Sequence, residues 1–101
     1  MSAALFKLYI VRCADGSLYT GIATDVEKRI AEHDRGLRGA KYLRGRGPLR
    51  IVFVEPAGDR AMASRLEYRV KRMSREQKLE LIAGERQLQD LLGNQVLGGG
   101  S

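Results

Sequence analysis

A chain of 101 residues is enough for one domain with a modest core, and its 44% hydrophobic content is ordinary for a globular protein. No apolar run approaches a membrane span, the start MSAALFKLYIV lacks the basic-then-apolar order of a secretion signal, and the single Cys13 excludes a disulfide framework or a cysteine-based zinc site. A reducing cytoplasm is the expected setting, and a net charge of +6 with a pI near 9.9 points to polyanionic partners, nucleic acid first.

Leu8 to Cys13, "LYIVRC", is rich in β-formers and predicts a first strand. "ADGS" is turn chemistry, and Leu18 to Ala23 alternates as a second strand, which together make a hairpin. Thr24 with Glu27 reads as a capping box that starts a helix from about Asp25 to Arg35, closed by Gly36. From Arg35 to Arg50 the segment "RGLRGAKYLRGRGPLR" holds six basic residues, no acidic ones, four glycines and one proline, which suits neither a regular helix nor a buried strand. It reads as a basic loop with Arg38, Lys41, Arg44 and Arg46 for phosphates and Tyr42 for stacking; a solvated charged loop is the plainer alternative.

"LRIVFVE", Leu49 to Glu55, predicts a third strand. Asp59 caps a second helix, about Arg60 to Met73, with Met62, Leu66, Val70 and Met73 along one stripe. Ser74 with Gln77 is a further capping box, starting a third helix that ends near Gly84, and Glu85 to Leu92 can add a further turn. The order ββα–β–αα predicts a small α+β domain over residues 1–92 with a three-stranded, mostly antiparallel sheet flanked by helices, and residues 93–101 read as a linker-like tail.

The hairpin has two possible registers. A two-residue Asp-Gly turn pairs Ala14 with Ser17 and sends Tyr9 and Tyr19 to opposite faces. A three-residue loop ending on a left-handed Gly16 pairs Cys13 with Ser17, sets Tyr9 opposite Gly21, and puts both tyrosines on one face. The sequence does not choose between them. On the first helix His33 falls on the inward stripe of Val26 and Ile30, with Arg29 at its border; on the second, Glu67 borders the Leu66–Val70 stripe. Taken singly each has a structural explanation: Glu67 and Lys71 as an i,i+4 pair, Arg29 as a snorkelling cation, His33 and the tyrosines as packed residues.

Taken together they form an ordered set. "LYIV", then "YTG" ten residues on, an arginine ten beyond the second tyrosine, His33, and a later helical glutamate resemble the GIY-YIG nuclease domain, in particular its small single-domain bacterial branch, which is also similar to the Slx-type endonuclease domain. The likeness runs from Lys7 to about Ile82 and includes "CADGSLYTGIATDVEKRIAEH", "GAKYLRGRGPLRIVFVE" and "ASRLEYRVKRMSREQKLELI". It implies a catalytic set of Tyr9, Tyr19, Arg29, His33 and Glu67, with Glu67 as the metal ligand for Mg²⁺ or Mn²⁺. This chain departs from the pattern in having "KLY" without the Gly-Ile of the first motif, "YTG" for "YIG", and Ile22 where many relatives carry a lysine; Lys41 or Arg44 would then supply that charge.

These residue types suit hydrolysis of a phosphodiester. An arginine fork stabilises charge on the non-bridging oxygens, and one carboxylate suffices for a Mg²⁺ ion that keeps most of its water. Tyr19 is the family-based candidate for general base, with His33 the second candidate or a proton relay, and Tyr9 orients water or phosphate. The resulting expectation is a metal-dependent endonuclease on single-stranded or branched DNA, serving repair or recombination, because one small domain lacks the surface for long sequence readout. The alternatives are a silent DNA- or RNA-binding module and an adaptor whose basic loop meets an acidic protein.

Overall fold

The computed structural model describes residues 5–35 and 48–91, and the side chains of all of these except 33–35. The basic segment with Arg38, Lys41, Tyr42, Arg44 and Arg46, and the side chain of His33, therefore lie outside the described residues, as does the tail beyond residue 91. The elements follow as β1 (Phe6–Arg12), β2 (Leu18–Ala23), α1 (Val26–Arg35), β3 (Arg50–Gly58), α2 (Arg60–Lys71) and α3 (Arg75–Ala83). The sheet runs β2-β1-β3 with both pairings antiparallel, which gives the expected α+β architecture.

The hairpin takes the three-residue loop. Cys13 N–H donates to the Ser17 carbonyl at 2.9 Å, Gly16 N–H to the Cys13 carbonyl at 2.8 Å, and Gly16 has φ +89°, the left-handed conformation that glycine adopts without steric cost. Asp15 Oδ1 accepts from the Ser17 amide and hydroxyl at 3.0 and 2.7 Å and closes the turn. Val11 consequently opposes Tyr19, and Tyr9 opposes Gly21.

Alternation along β1 then sorts side chains into two layers. Leu8 and Ile10 join Ala63, Leu66 and Val70 of α2 and Leu81 of α3 in one buried cluster, while Tyr9, Val11 and Cys13 join Val26 and Ile30 of α1 in the other. Leu88, in the turn after α3, closes the first cluster.

Several boundaries differ from the sequence reading: β1 starts at Phe6 and ends at Arg12 where the sequence predicts Leu8 to Cys13, and β3 starts at Arg50, one residue after Leu49. Helix α1 is capped by Asp25, whose Oδ1 accepts from Lys28 N–H at 3.1 Å, one residue later than a Thr24–Glu27 box would place it; neighbouring Thr and Asp are both competent caps. Strand β3 continues through Pro56 to Gly58, past the expected end at Glu55. The proline is tolerated because β3 is an edge strand and the register shifts beside it, between Phe6 and Lys7. Helix α2 ends at Lys71, so Met73 lies beyond it, and Met62 is exposed while Ala63 takes the buried place. The other caps are as read: Asp59 accepts from Met62 N–H, and the Ser74–Gln77 box is reciprocal at 3.0 and 3.1 Å, with Gly84 left-handed at the end of α3.

Candidate active site

Tyr9 is buried to 1% exposure on the α1 side of the sheet. Its phenol lies across Gly21: a Cβ built there would meet the Tyr9 hydroxyl at 2.5 Å and Cζ at 2.6 Å. A glycine is therefore a packing requirement at this point of β2, and the ring owes its position to the bulged hairpin register. Tyr19 sits on the same face, half-buried.

Charged groups from two helices converge on Tyr9. Its pKa is pushed up from 10.0 to about 12, first by burial, then by the Tyr19 phenol; Arg29 on α1 pulls it down and Glu67 on α2 raises it again. Tyr9 is thus a neutral hydroxyl at any physiological pH, able to donate and accept but held away from the phenolate form. Arg29 is exposed, one turn into α1, with its backbone N–H bonded to the Asp25 carbonyl at 3.1 Å. Its guanidinium is free of the core.

Glu67 is anchored by α2 on the shoulder of the Leu66–Val70 stripe. Its Oε2 pairs with Lys71 Nζ at 3.2 Å, and its side chain is 24% exposed against 49% for Lys71. The i,i+4 pair read from the sequence is present, but tertiary contact gives it a second partner: Lys71 Nζ stands 5.8 Å from the centroid of the Tyr19 ring. Lys78 lies close by on α3, and burial together with Lys71 holds its ammonium below the usual lysine range. The sequence reads Lys71 as the partner of Glu67; the packing of α2 against β2 brings its charge to Tyr19.

Among the described residues no group of three or more His, Cys, Asp or Glu could hold a metal ion. The one carboxylate, Glu67, already presents an oxygen to a cation, and a single carboxylate with waters matches the donor set of a hard, hydrated divalent ion. The residues present therefore fit Mg²⁺ or Mn²⁺. Of the five sequence-predicted site residues, Tyr9, Tyr19, Arg29 and Glu67 are brought together, while the side chain of His33 lies outside the described residues, although its backbone continues α1 one turn past Arg29.

A profile of the GIY-YIG catalytic domain matches residues 6–80, a span that includes all four. The chain belongs to the GIY-YIG family. This GIY-YIG domain is 54% identical over 87 residues to a UPF0213 protein of Sodalis glossinidius, covering 86% of this chain and 80% of that one. It is 56% identical over 78 residues to a UPF0213 protein of Cronobacter sakazakii, covering 77% and 81%. Among solved structures it resembles the solution NMR structure of a UPF0213 protein from Bacillus halodurans, with 47% identity, a TM-score of 0.51 and coverage of 78% and 83%. The family is a nuclease family, so its substrate is nucleic acid; among the described residues no helix is long and apolar enough to cross a membrane.

Proposed function

We propose that this chain is a metal-dependent endonuclease that hydrolyses DNA phosphodiester bonds, selective for single-stranded or branched DNA and serving repair or recombination in the cytoplasm, from one nuclease domain over residues 1–92. The observation that carries the reading is the environment of Tyr9: a buried neutral phenol, seated by Gly21, that feels Tyr19, Arg29 and Glu67 from three separate elements. A packed core tyrosine has no need of an exposed arginine and a partly buried carboxylate around it.

In this reading Tyr9, neutral, donates its hydroxyl to a phosphate oxygen or holds the attacking water. Tyr19, with the Lys71 ammonium 5.8 Å from its ring centroid, is the general base that takes the proton of that water, with His33 as the alternative acceptor. Arg29 offers two parallel N–H donors to the non-bridging oxygens, where negative charge builds during in-line attack. Glu67 would hold the divalent ion, which when bound supplies Lewis-acid stabilisation of the leaving oxygen. Lys71, paired with Glu67 Oε2 at 3.2 Å, keeps a cation beside the carboxylate that would hold the ion. Arg38, Lys41, Arg44 and Arg46 add phosphate contacts and Tyr42 a stacking surface.

The test is cleavage of single-stranded, duplex and branched DNA with Mg²⁺, with Mn²⁺ and with chelator. Metal-dependent internal cleavage, strongest on the single-stranded or branched substrate, is expected. Binding without cleavage under every metal would instead mark a silent nucleic-acid-binding module.

A further inference from the structure

The outer side of α2 carries a second feature that the catalytic reading leaves unused. A groove of about 800 Å³ runs along it, lined by Ser64, Arg65, Tyr68, Arg69, Arg72 and Leu91. Among the described residues three arginines and no acidic residue line this groove, and none of the three arginines has a carboxylate partner there. Tyr68 is 61% exposed, and the Arg72 guanidinium lies 5.3 Å from its ring centroid. A large aromatic left in water, backed by a cation and flanked by two more, is a stacking surface beside phosphate-sized charge.

Its position relative to the site follows from helix geometry. At about 100° per residue, Ala63, Leu66 and Val70 face the core and Glu67 sits on one shoulder. Turning outward from Glu67, the surface passes Lys71, then Ser64 and Tyr68, then Arg72 and Arg65, and reaches Arg69 on the far shoulder. Going round the helix, Lys71 therefore stands between Glu67 and the Ser64–Tyr68 edge of the groove. We propose that it holds a single polynucleotide strand flanking the cleaved phosphate, with Arg65, Arg69 and Arg72 on its phosphates and a base on the Tyr68 ring. The proposal rests on the nuclease reading for the identity of the strand. Charge complementarity selects this occupant: a second copy of this chain carries net charge +6 and would bring cations to cations.

The test measures equilibrium binding of a fluorescent single-stranded oligonucleotide without divalent metal, across salt, and cleavage kinetics with Mg²⁺ or Mn²⁺. The proteins are the full chain, R65Q/R72Q, Tyr68→Phe and Tyr68→Ala; the substituted residues are exposed, so circular dichroism should be unchanged. For R65Q/R72Q the log–log salt slope should become shallower by about 1.4, since each phosphate contact on a single strand contributes about 0.7. KM should rise with Kd while kcat at saturation is kept. Tyr68→Ala should weaken binding roughly 5- to 150-fold and Tyr68→Phe should bind as the parent, because the ring and not the hydroxyl stacks. An unchanged Kd and salt slope in R65Q/R72Q, with wild-type binding and cleavage intact, overturns the groove alone. Absence of any wild-type oligonucleotide binding overturns the groove and the nuclease reading together. Self-association abolished by R65Q/R72Q, with oligonucleotide binding unaffected, assigns the face to a second copy and also overturns the proposal.

Discussion

The two faces of β1 are made from alternate residues of one strand, yet they are built differently. Leu8 and Ile10 enter an aliphatic cluster closed by α2 and α3, where almost every atom is hydrocarbon. Tyr9, the residue between them on the other face, is equally buried but has charge around it and a glycine beneath it. The first face is built to exclude water from apolar surface, and the second keeps a polar group dry within reach of exposed cations and a carboxylate. The lesson is that burial does not distinguish packing from chemistry here; the company of the buried group does.

Substitutions on the two faces should therefore separate stability from cleavage. Leu8→Ala is expected to cost about 2–5 kcal/mol in chemical denaturation by leaving a cavity, with turnover of the folded fraction unchanged. Arg29→Ala should do the reverse, lowering the cleavage rate roughly 100- to 1,000-fold, the scale for one lost transition-state charge donor, with the melting temperature kept. A large loss of stability in Arg29→Ala would make it a structural residue and erase the contrast.

Gly21→Ala probes where the faces touch. Its methyl group would collide with the Tyr9 phenol, so about 1–3 kcal/mol of destabilisation is expected, together with reduced cleavage at temperatures where the variant remains folded. The smallest effect concerns Thr20, whose buried Oγ1 makes no hydrogen bond among the described residues and which faces the aliphatic cluster opposite Ile10. The chain carries Thr in "YTG" where the family motif has Ile, and an unsatisfied buried hydroxyl is unfavourable. Thr20→Val should raise stability by about 1 kcal/mol in denaturant titration and leave cleavage as it was.

Much of the fold was legible because local chemistry and tertiary context agree. Asp59, Ser74–Gln77 and Gly84 delimit their helices by groups within four residues, and the strand alternation of Leu18 to Ala23 needs no partner to be seen. The hairpin register was not legible: "ADGS" supports two loops, and the choice falls to the pairing of whole strands, Tyr9 with Gly21 included. Thr24 and Asp25 show the same degeneracy at a cap. Of the site, the residue types and order were readable on Tyr9, Tyr19, Arg29 and Glu67, whereas Lys71 over the Tyr19 ring depends on α2 packing against β2, which no spacing in the chain encodes.

The most direct test of the account is Glu67→Ala, measured for cleavage and for binding on the same single-stranded oligonucleotide with Mg²⁺ or Mn²⁺. Glu67 is proposed to hold the ion while the basic surfaces hold the strand, so cleavage should fall to background while the dissociation constant stays within about threefold of wild type. Metal-dependent cleavage that persists in Glu67→Ala would contradict the account, because the ion would then be held elsewhere and the Tyr9 cluster would lose its carboxylate role.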